Sequence, residues 1–426
     1  MIEADLAVVG ISELATPEGR TARTGSDLAR LRTVRDAAVA CRNGRIVFVG
    51  TEREYREAVA LIPGGRALDA LGATVLPGFV DAHTHLPFAG WRESEFNERL
   101  CGATYSQIAA RGGGILSTVA ATRAASLDEL TRLTRERLDA MLLLGTTLAE
   151  AKSGYGLSTE AEIKQLEAVR SGAAGHPVDV VPTFLGAHTV PKERRENRSA
   201  YVDEIVNDML PEIGRRKLAS YADAFVDEHA FSKDEARRVL QAAARAGLGV
   251  RLHADQLADD GGALLAAELH AASADHLEYV SDAGIDALAR AGTAAVLLPA
   301  ATFFLMSSVK PPARRLIEAG VPVAIATDFN PGTCPTEAMG AVLEFACLSL
   351  GMSIDEAIAA ATLNAAYALG RAADTGSIEV GKRADLVIHA VPNRYHMVYR
   401  FGVRRVRTVI AAGQVVVEDG TLRPSA

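Results

Sequence analysis

Cysteine is scarce in this chain and scattered: four in 426 residues, at positions 41, 101, 334 and 347, with no C-x-x-C pair. That spacing excludes a zinc-finger or disulfide framework and leads to the expectation of a reducing, cytoplasmic setting. Positive charge is also short. The formal net charge is −8, so the basic footprint of a nucleic-acid binder is missing and no nucleic-acid partner is expected. No apolar run approaches the roughly 18 residues that a membrane span needs. The opening MIEADLAVVGISEL lacks a basic start followed by a long apolar core, so no secretory signal is expected. What is present is a globular composition, 49% hydrophobic and 23% charged, on a chain long enough for one large domain and a smaller one.

From Ala73 onward, short β-type runs alternate with helical stretches. The runs read as strands are 74–80, 146–151, 178–185, 222–226, 249–253, 273–277, 293–299 and 322–326. Helical patterns such as Leu127–Leu144 and Lys233–Ala246 lie between them. Three helix starts carry the capping-box pattern: Ser126 with Glu129, Ser232 with Glu235, and Ser353 with Glu356. About eight strands alternating with helices predict a parallel α/β array closed into a (β/α)₈ TIM-like barrel. The two ends read differently. Runs at 5–9, 37–41 and 45–49, with the turn Asn43-Gly44, precede the barrel; runs at 384–389, 406–411 and 414–418, with the turn Ala412-Gly413, follow it. Asn-Gly suits the φ > 0 geometry of a two-residue hairpin. The expected organisation is a small β-sandwich domain built from 1–72 and 380–426 around a barrel of 73–379.

The chemistry collects at the strand ends. His83 and His85 follow the first apolar run at i and i+2, a spacing that puts both imidazoles on one face of extended chain. Two convergent imidazoles are half of a site for zinc or a similar borderline metal. Lys152-Ser-Gly-Tyr155-Gly ends the second strand and Gly186-Ala-His188 the third. His253-Ala-Asp255-Gln256 ends the fifth, Ala274-Asp275-His276 the sixth, and Asp328-Phe-Asn330-Pro-Gly332-Thr333 the eighth. Five of the ten histidines therefore fall where a barrel of this kind carries its function. Taken singly, each has a plain structural reading, as a satisfied interior histidine or a turn-capping Asp328; the joint pattern points to a metal-dependent enzyme.

These stretches, together with Gly90-Trp-Arg92-Glu-Ser-Glu95-Phe, Gly102-Ala-Thr-Tyr105 and Gly112-Gly-Gly-Ile115, resemble the amidohydrolase superfamily of metal-dependent hydrolases over essentially the whole chain. Within it, the Gly-Gly-Gly-Ile, Lys-Ser-Gly-Tyr-Gly and Thr-Asp-Phe-Asn-Pro-Gly motifs are narrower. They resemble the branch that opens the cyclic amide of 4-imidazolone-5-propanoate in histidine degradation. The resemblance implies metal ligands His83, His85, His253 and Asp328 around one ion, zinc or iron. It implies proton handling by Asp328 and His276, and substrate contacts from Arg92, Tyr155, His188, Gln256, Asn330, Gly332 and Thr333, with Tyr105 a weaker candidate. It also implies a homodimer.

Dinuclear relatives carry a modified lysine on the fourth strand, whereas Phe225-Val-Asp227-Glu228 has none there; Lys152 is expected to be structural or ion-paired. Mononuclear deaminase relatives carry Glu three residues after the fifth-strand histidine. Here that position is Gln256, whose amide is no general acid at neutral pH, and this weighs against the alternative of a purine, pyrimidine or triazine aminohydrolase. A non-enzymatic assembly relative would be expected to have lost ligands, and none is lost. Arg92 offers a fixed fork of donors to an anion or ring carbonyl; its competing reading is a salt bridge to Glu93 or Glu95. The Gly112–Gly114 run lacks the Gly-Lys-Ser/Thr of a phosphate loop and is expected to be a flexible segment near the site.

Overall fold

The computed structural model describes residues 1–103, 107, 111, 113–227 and 230–423. Tyr105, Gly112 and Glu228 lie outside them.

The chain opens with four strands of a mixed sheet: β1 (Ile2–Thr16), β2 (Arg32–Arg42), β3 (Arg45–Thr51) and β4 (Val59–Asp69). Asn43 and Gly44 have φ of 49° and 75°, the left-handed pair that the β2–β3 hairpin requires. Then β5 (Thr74–Pro77) joins this sheet and β6 (Phe79–Asp81) starts the barrel. The barrel continues through β7 (Thr146–Lys152), β8 (Asp179–Ala187), β9 (Tyr221–Phe225), β10 (Gly249–Ala254), β11 (Ser273–His276), β12 (Ala294–Leu297) and β13 (Val323–Ile325). The chain returns to the first sheet as β14 (Leu386–His389), β15 (Val406–Ala411), β16 (Gln414–Glu418) and β17 (Thr421–Leu422). Its order is β17-β16-β15-β14-β5-β1-β2-β3, with β4 also on β1. Both chain ends thus share one nine-stranded sheet, with β14 antiparallel to β5 and β5 parallel to β1. Alternate residues Leu6, Val8, Leu386, Ile388 and Ile410 bury into its core.

The run 74–80, expected to be one barrel strand, is divided between the two sheets at Gly78. Gly78 N donates to Asp385 O in the small sheet, while Phe79 N donates to Gly145 O beside β7. A Cβ at Gly78 would sit 2.1 Å from Thr147 Oγ1, so only glycine permits this close crossing. β4, with its Pro63-Gly64-Gly65, was not expected as a strand. Of the three expected capping boxes, those at Ser232 and Ser353 are reciprocal. At Ser126 the hydroxyl accepts from Glu129 N without the return bond, and a further full box forms between Thr51 and Glu54.

The eight barrel strands run parallel in sequence order. Closure between the last and the first is made just beyond the strands. Asp328 N donates to His83 O at 3.0 Å, His85 N donates to Phe329 O at 2.9 Å, and Thr84 bridges Phe329. The backbone of the candidate site residues is therefore also the seam of the barrel.

Candidate active site

Strand alternation fills the barrel interior with charge where barrels of this type are dominated by branched apolar side chains. Glu150 and Lys152 from β7, Asp223 from β9, Arg251 from β10 and Asp275 from β11 are all essentially inaccessible. Lys152 Nζ lies 2.6 Å from Asp223, 2.8 Å from Glu150 and 3.6 Å from Asp275. Arg251 reaches Glu150 at 3.1 Å and Asp275 at 3.3 Å, and donates to the carbonyls of Ala82 and Ala368. Three carboxylates face two cations, so this layer favours a further positive charge next to it.

That charge has a place directly above. His83 Nδ1 pairs with Asp275 Oδ2 at 2.7 Å, and His253 Nδ1 with Asp223 at 3.1 Å. Both histidines thereby turn Nε2 away from the ionic layer, and among the described residues neither Nε2 has a hydrogen-bond partner although both are buried. Nitrogen and oxygen atoms of His83, His85 and His253 lie within 4.8 Å of one another, as do those of His83, His276 and Asp328. Asp328 Oδ1 is 3.4 Å from His83 Nε2 and 3.5 Å from His85 Nε2. Imidazole nitrogens with a carboxylate among them, the rings of His83 and His253 fixed from behind by an acid, are the donor set of a transition-metal or zinc site. The residues present fit a metal ion.

Electrostatics agrees. Burial and the Lys152 ammonium oppose protonation of His83, but Asp275 and Asp328 outweigh them and lift it to about 9. The site thus prefers positive charge at that ring. Burial pushes His253 well down and His276 to about 4, so both are neutral near pH 7. Asp328, despite burial, is held well below the carboxylate range by His83 and His85. His276 and Asp328 have φ of 79° and 58°. Left-handed backbone at a non-glycine residue costs about 1–3 kcal/mol and collects at functional sites.

His85, His253, His276 and Asp328 floor a cavity of about 420 Å³ whose walls include Arg92, Tyr155, His188, Gln256, Asn330 and Thr333. The expected substrate-contacting residues therefore meet in one place, save Gly332, which stands beside it. A Cβ on Gly332 would fall 1.1 Å from Arg92 Nη2, so glycine there makes room for the guanidinium. Arg92 ion-pairs with neither Glu93 nor Glu95; Glu95 instead accepts from Gly114 N and the Ser117 hydroxyl. Arg92 Nε is buried and has no hydrogen-bond partner among the described residues. Asn330 builds the turn more than it faces the cavity. Its Oδ1 accepts from Gly332 N and Thr333 N, and its Nδ2 donates to Asp328 O and Thr333 Oγ1. The N–H groups of Gly332 and Thr333 are thus already used within the turn.

The expected ion-paired Lys152 is ion-paired. Sequence reasoning assigned no role to Asp223 or Asp275, which hold two of the histidines expected as metal ligands. Their only sequence signal is an acid two residues before a strand-end Phe225 and one before His276. It also missed Glu162, whose carboxylate accepts from the N–H groups of Gly154, Gly156 and Leu157 and fixes the loop bearing Tyr155. Asp255 caps the helix Gly262–Glu268 through Gly262 N and Ala263 N, and takes no part in the cavity.

Residues 74–416 match the model of the amidohydrolase family. The chain is 51% identical to an imidazolonepropionase of Symbiobacterium thermophilum, over 98% of this chain and 99% of that one. It is 50% identical to an imidazolonepropionase of Geobacillus kaustophilus, over 92% and 93%. Among solved structures it is similar to an adenosine deaminase from Xanthomonas campestris with bound zinc, at a TM-score of 0.73 and 20% identity over 99% of this chain and 95% of that one. A triazine hydrolase variant superposes at 0.76 with 18% identity over 98% and 95%. At those identities the two structures bear on the fold alone.

Proposed function

The chain belongs to the amidohydrolase family and, within it, to the imidazolonepropionases, and on that premise we propose how its barrel hydrolyses the ring C–N bond of 4-imidazolone-5-propanoate to N-formimidoyl-L-glutamate, the third step of histidine degradation. The observation that carries the site assignment is the pair of buried Nε2 atoms of His83 and His253, without hydrogen-bond partners among the described residues, grouped with His85 and, through His83, with Asp328 at a cavity that Arg92 also lines.

His83, His85, His253 and Asp328 would hold one metal ion, zinc or iron, both of which suit imidazole with carboxylate. When bound, such an ion polarises a carbonyl and acidifies water toward neutral pH. The chain's own residues do the rest. Arg92 clamps the propanoate carboxylate or the ring carbonyl with a charge-assisted bond. Tyr155, His188 and Thr333 hydrogen-bond the substrate beside the turn formed by Asn330 and Gly332. Gln256 donates to and accepts from the ring. Asp328 takes a proton from the attacking water. His276, neutral, donates to the oxygen on which charge develops or passes the proton to the departing ring nitrogen. Water oxygen bonds to the ring carbonyl carbon, the ring C–N bond breaks, and the proton ends on nitrogen; no ammonia leaves.

The domain division that goes with this is a catalytic barrel of 73–379 and a small domain of 1–72 with 380–426. We propose a cytoplasmic homodimer acting on a small molecule, with no nucleic-acid partner; no helix among the described residues is long and apolar enough to cross a membrane. The test supplies imidazolone propionate, follows loss of ring absorbance and measures ammonia in parallel, with metal content determined on the same sample. Ring loss without ammonia, abolished in Asp328→Asn, is expected. Stoichiometric ammonia from a purine or triazine, with imidazolone propionate untouched, would overturn the reading in favour of an aminohydrolase.

A further inference from the structure

The helix Met339–Leu350 buries Val342, Leu343 and Ala346. Its one charged residue, Glu344, is buried as well, paired with Arg405 and accepting from Gly402 N. The outward positions are Ala341, Phe345 and Leu348, an apolar stripe at i, i+4 and i+7. A helix that is apolar all round is ordinarily enclosed, yet Leu348 is 68% exposed.

The stripe extends onto its neighbours. The Phe345 ring stacks on Phe303, in the helix Pro299–Phe304, with centroids 4.6 Å apart, and its centroid lies 6.5 Å from that of Phe401. Phe303 and Phe401, the two exposed phenylalanines among the described residues, are 63% and 57% exposed. Met306 and Tyr399, close to them in the chain, are open too. With about 150–250 Å² to an aromatic side chain, Phe303, Met306, Phe345, Leu348, Tyr399 and Phe401 together open on the order of 700 Å². That exceeds the largest apolar patch of a typical monomer, about 300–600 Å², and approaches the roughly 800 Å² that each partner gives to a standard interface. Of the segments carrying the face, 303–306, 341–349 and 399–401, only Arg400 adds an exposed charge.

We infer that this face pairs with the same face of a second copy of the chain about a two-fold axis. The inference rests on the homodimer proposed above and names the surface that forms it. A charged partner would find no opposite field here. Two copies bring one exposed Arg400 each, and a single solvated charge is screened within about 8 Å at physiological salt. Aromatic and methionine side chains with few charges are also the composition of interface cores. A face this apolar has to be covered throughout the life of the folded chain, and only another copy is always present in matching amount.

Sedimentation velocity on the full-length, metal-loaded protein at micromolar concentration is the test, with Leu348→Glu and Phe401→Glu as separate variants. The two lie on different segments, and neither lines the hydrolytic cavity. The parent is expected to be a dimer. Each variant should be a monomer with the far-ultraviolet circular dichroism of the parent; should one lose that signal, the other decides. The dissociation constant should rise on the order of a thousandfold, because every replaced side chain is lost twice across the axis. A dimer that survives in a folded variant overturns this face and spares the homodimer. A monomeric parent overturns both, and its binding to phosphatidylcholine vesicles would assign the face to a lipid surface instead.

Discussion

The ammonium of Lys152 lies 2.6 Å from Asp223 Oδ2, and Asp223 in turn holds Nδ1 of His253. The same ammonium reaches Asp275, the partner of His83, at 3.6 Å. One buried cation thus ties together the two acids that aim two of the proposed ligands. Lys152→Met should lower metal affinity about 10–100-fold, the usual effect of losing a group that orients a ligand. Leaving the acids under-compensated should also cost about 3–5 kcal/mol of stability. Chelator competition and urea unfolding measure the two separately; an unchanged metal affinity would remove Lys152 from the positioning role.

His83→Ala takes away a proposed ligand while Arg251 and Lys152 still compensate Asp275. The expected protein keeps its far-ultraviolet circular dichroism but retains little metal and has no measurable turnover. Metal analysis after gel filtration is the check. Stoichiometric metal with near-normal turnover would refute the assignment.

Arg92 and Gly332 should behave as one unit. Arg92→Ala is expected to lower kcat/KM by an amount corresponding to about 1.5–3 kcal/mol, the worth of a charged hydrogen bond to a ligand. Gly332→Ala, whose Cβ would intrude on the guanidinium, should give a similar loss with little change in melting temperature. The double variant should be no worse than the more damaging single one, since both act on the same contact. Additive losses would show that Gly332 serves the site in another way.

The buried neutral His389 predicts a share of the acid sensitivity of folding. In the unfolded chain it titrates near 6.5, whereas in the fold burial, then Arg405, holds it neutral to about 3. Between those values the unfolded state carries the extra proton, so stability is lost as pH falls from 6.5 towards 3. The full span amounts to about 4 kcal/mol as an order of magnitude. His389→Phe should therefore flatten the fall in urea midpoint between pH 6.5 and 4 relative to the parent. Parallel curves for the two proteins would contradict it.

Local pattern determined much about this protein. The alternation of short apolar runs with capped helices specified a parallel barrel, because period and capping are properties of neighbouring residues. Asn43-Gly44 specified its hairpin, and the expected strand bounds fall within about three residues of those observed across the barrel after Gly78. The strand-end histidines and Asp328 were visible as a set because a barrel brings all strand ends to one face. Only the tertiary structure decided the rest. The division of 74–80 between two sheets depends on Thr147, about seventy residues away, pressing on Gly78. The interior ionic layer joins Glu150, Lys152, Asp223, Arg251 and Asp275 from four strands, none identifiable as a partner until the strands sit side by side. Likewise, nothing near His389 in the chain announces its burial. Its surroundings come from Phe79, Glu344 and Arg405, which meet only when the chain ends close over the barrel's base. Such contacts are set by long-range packing, which leaves no periodic trace in the residues on either side.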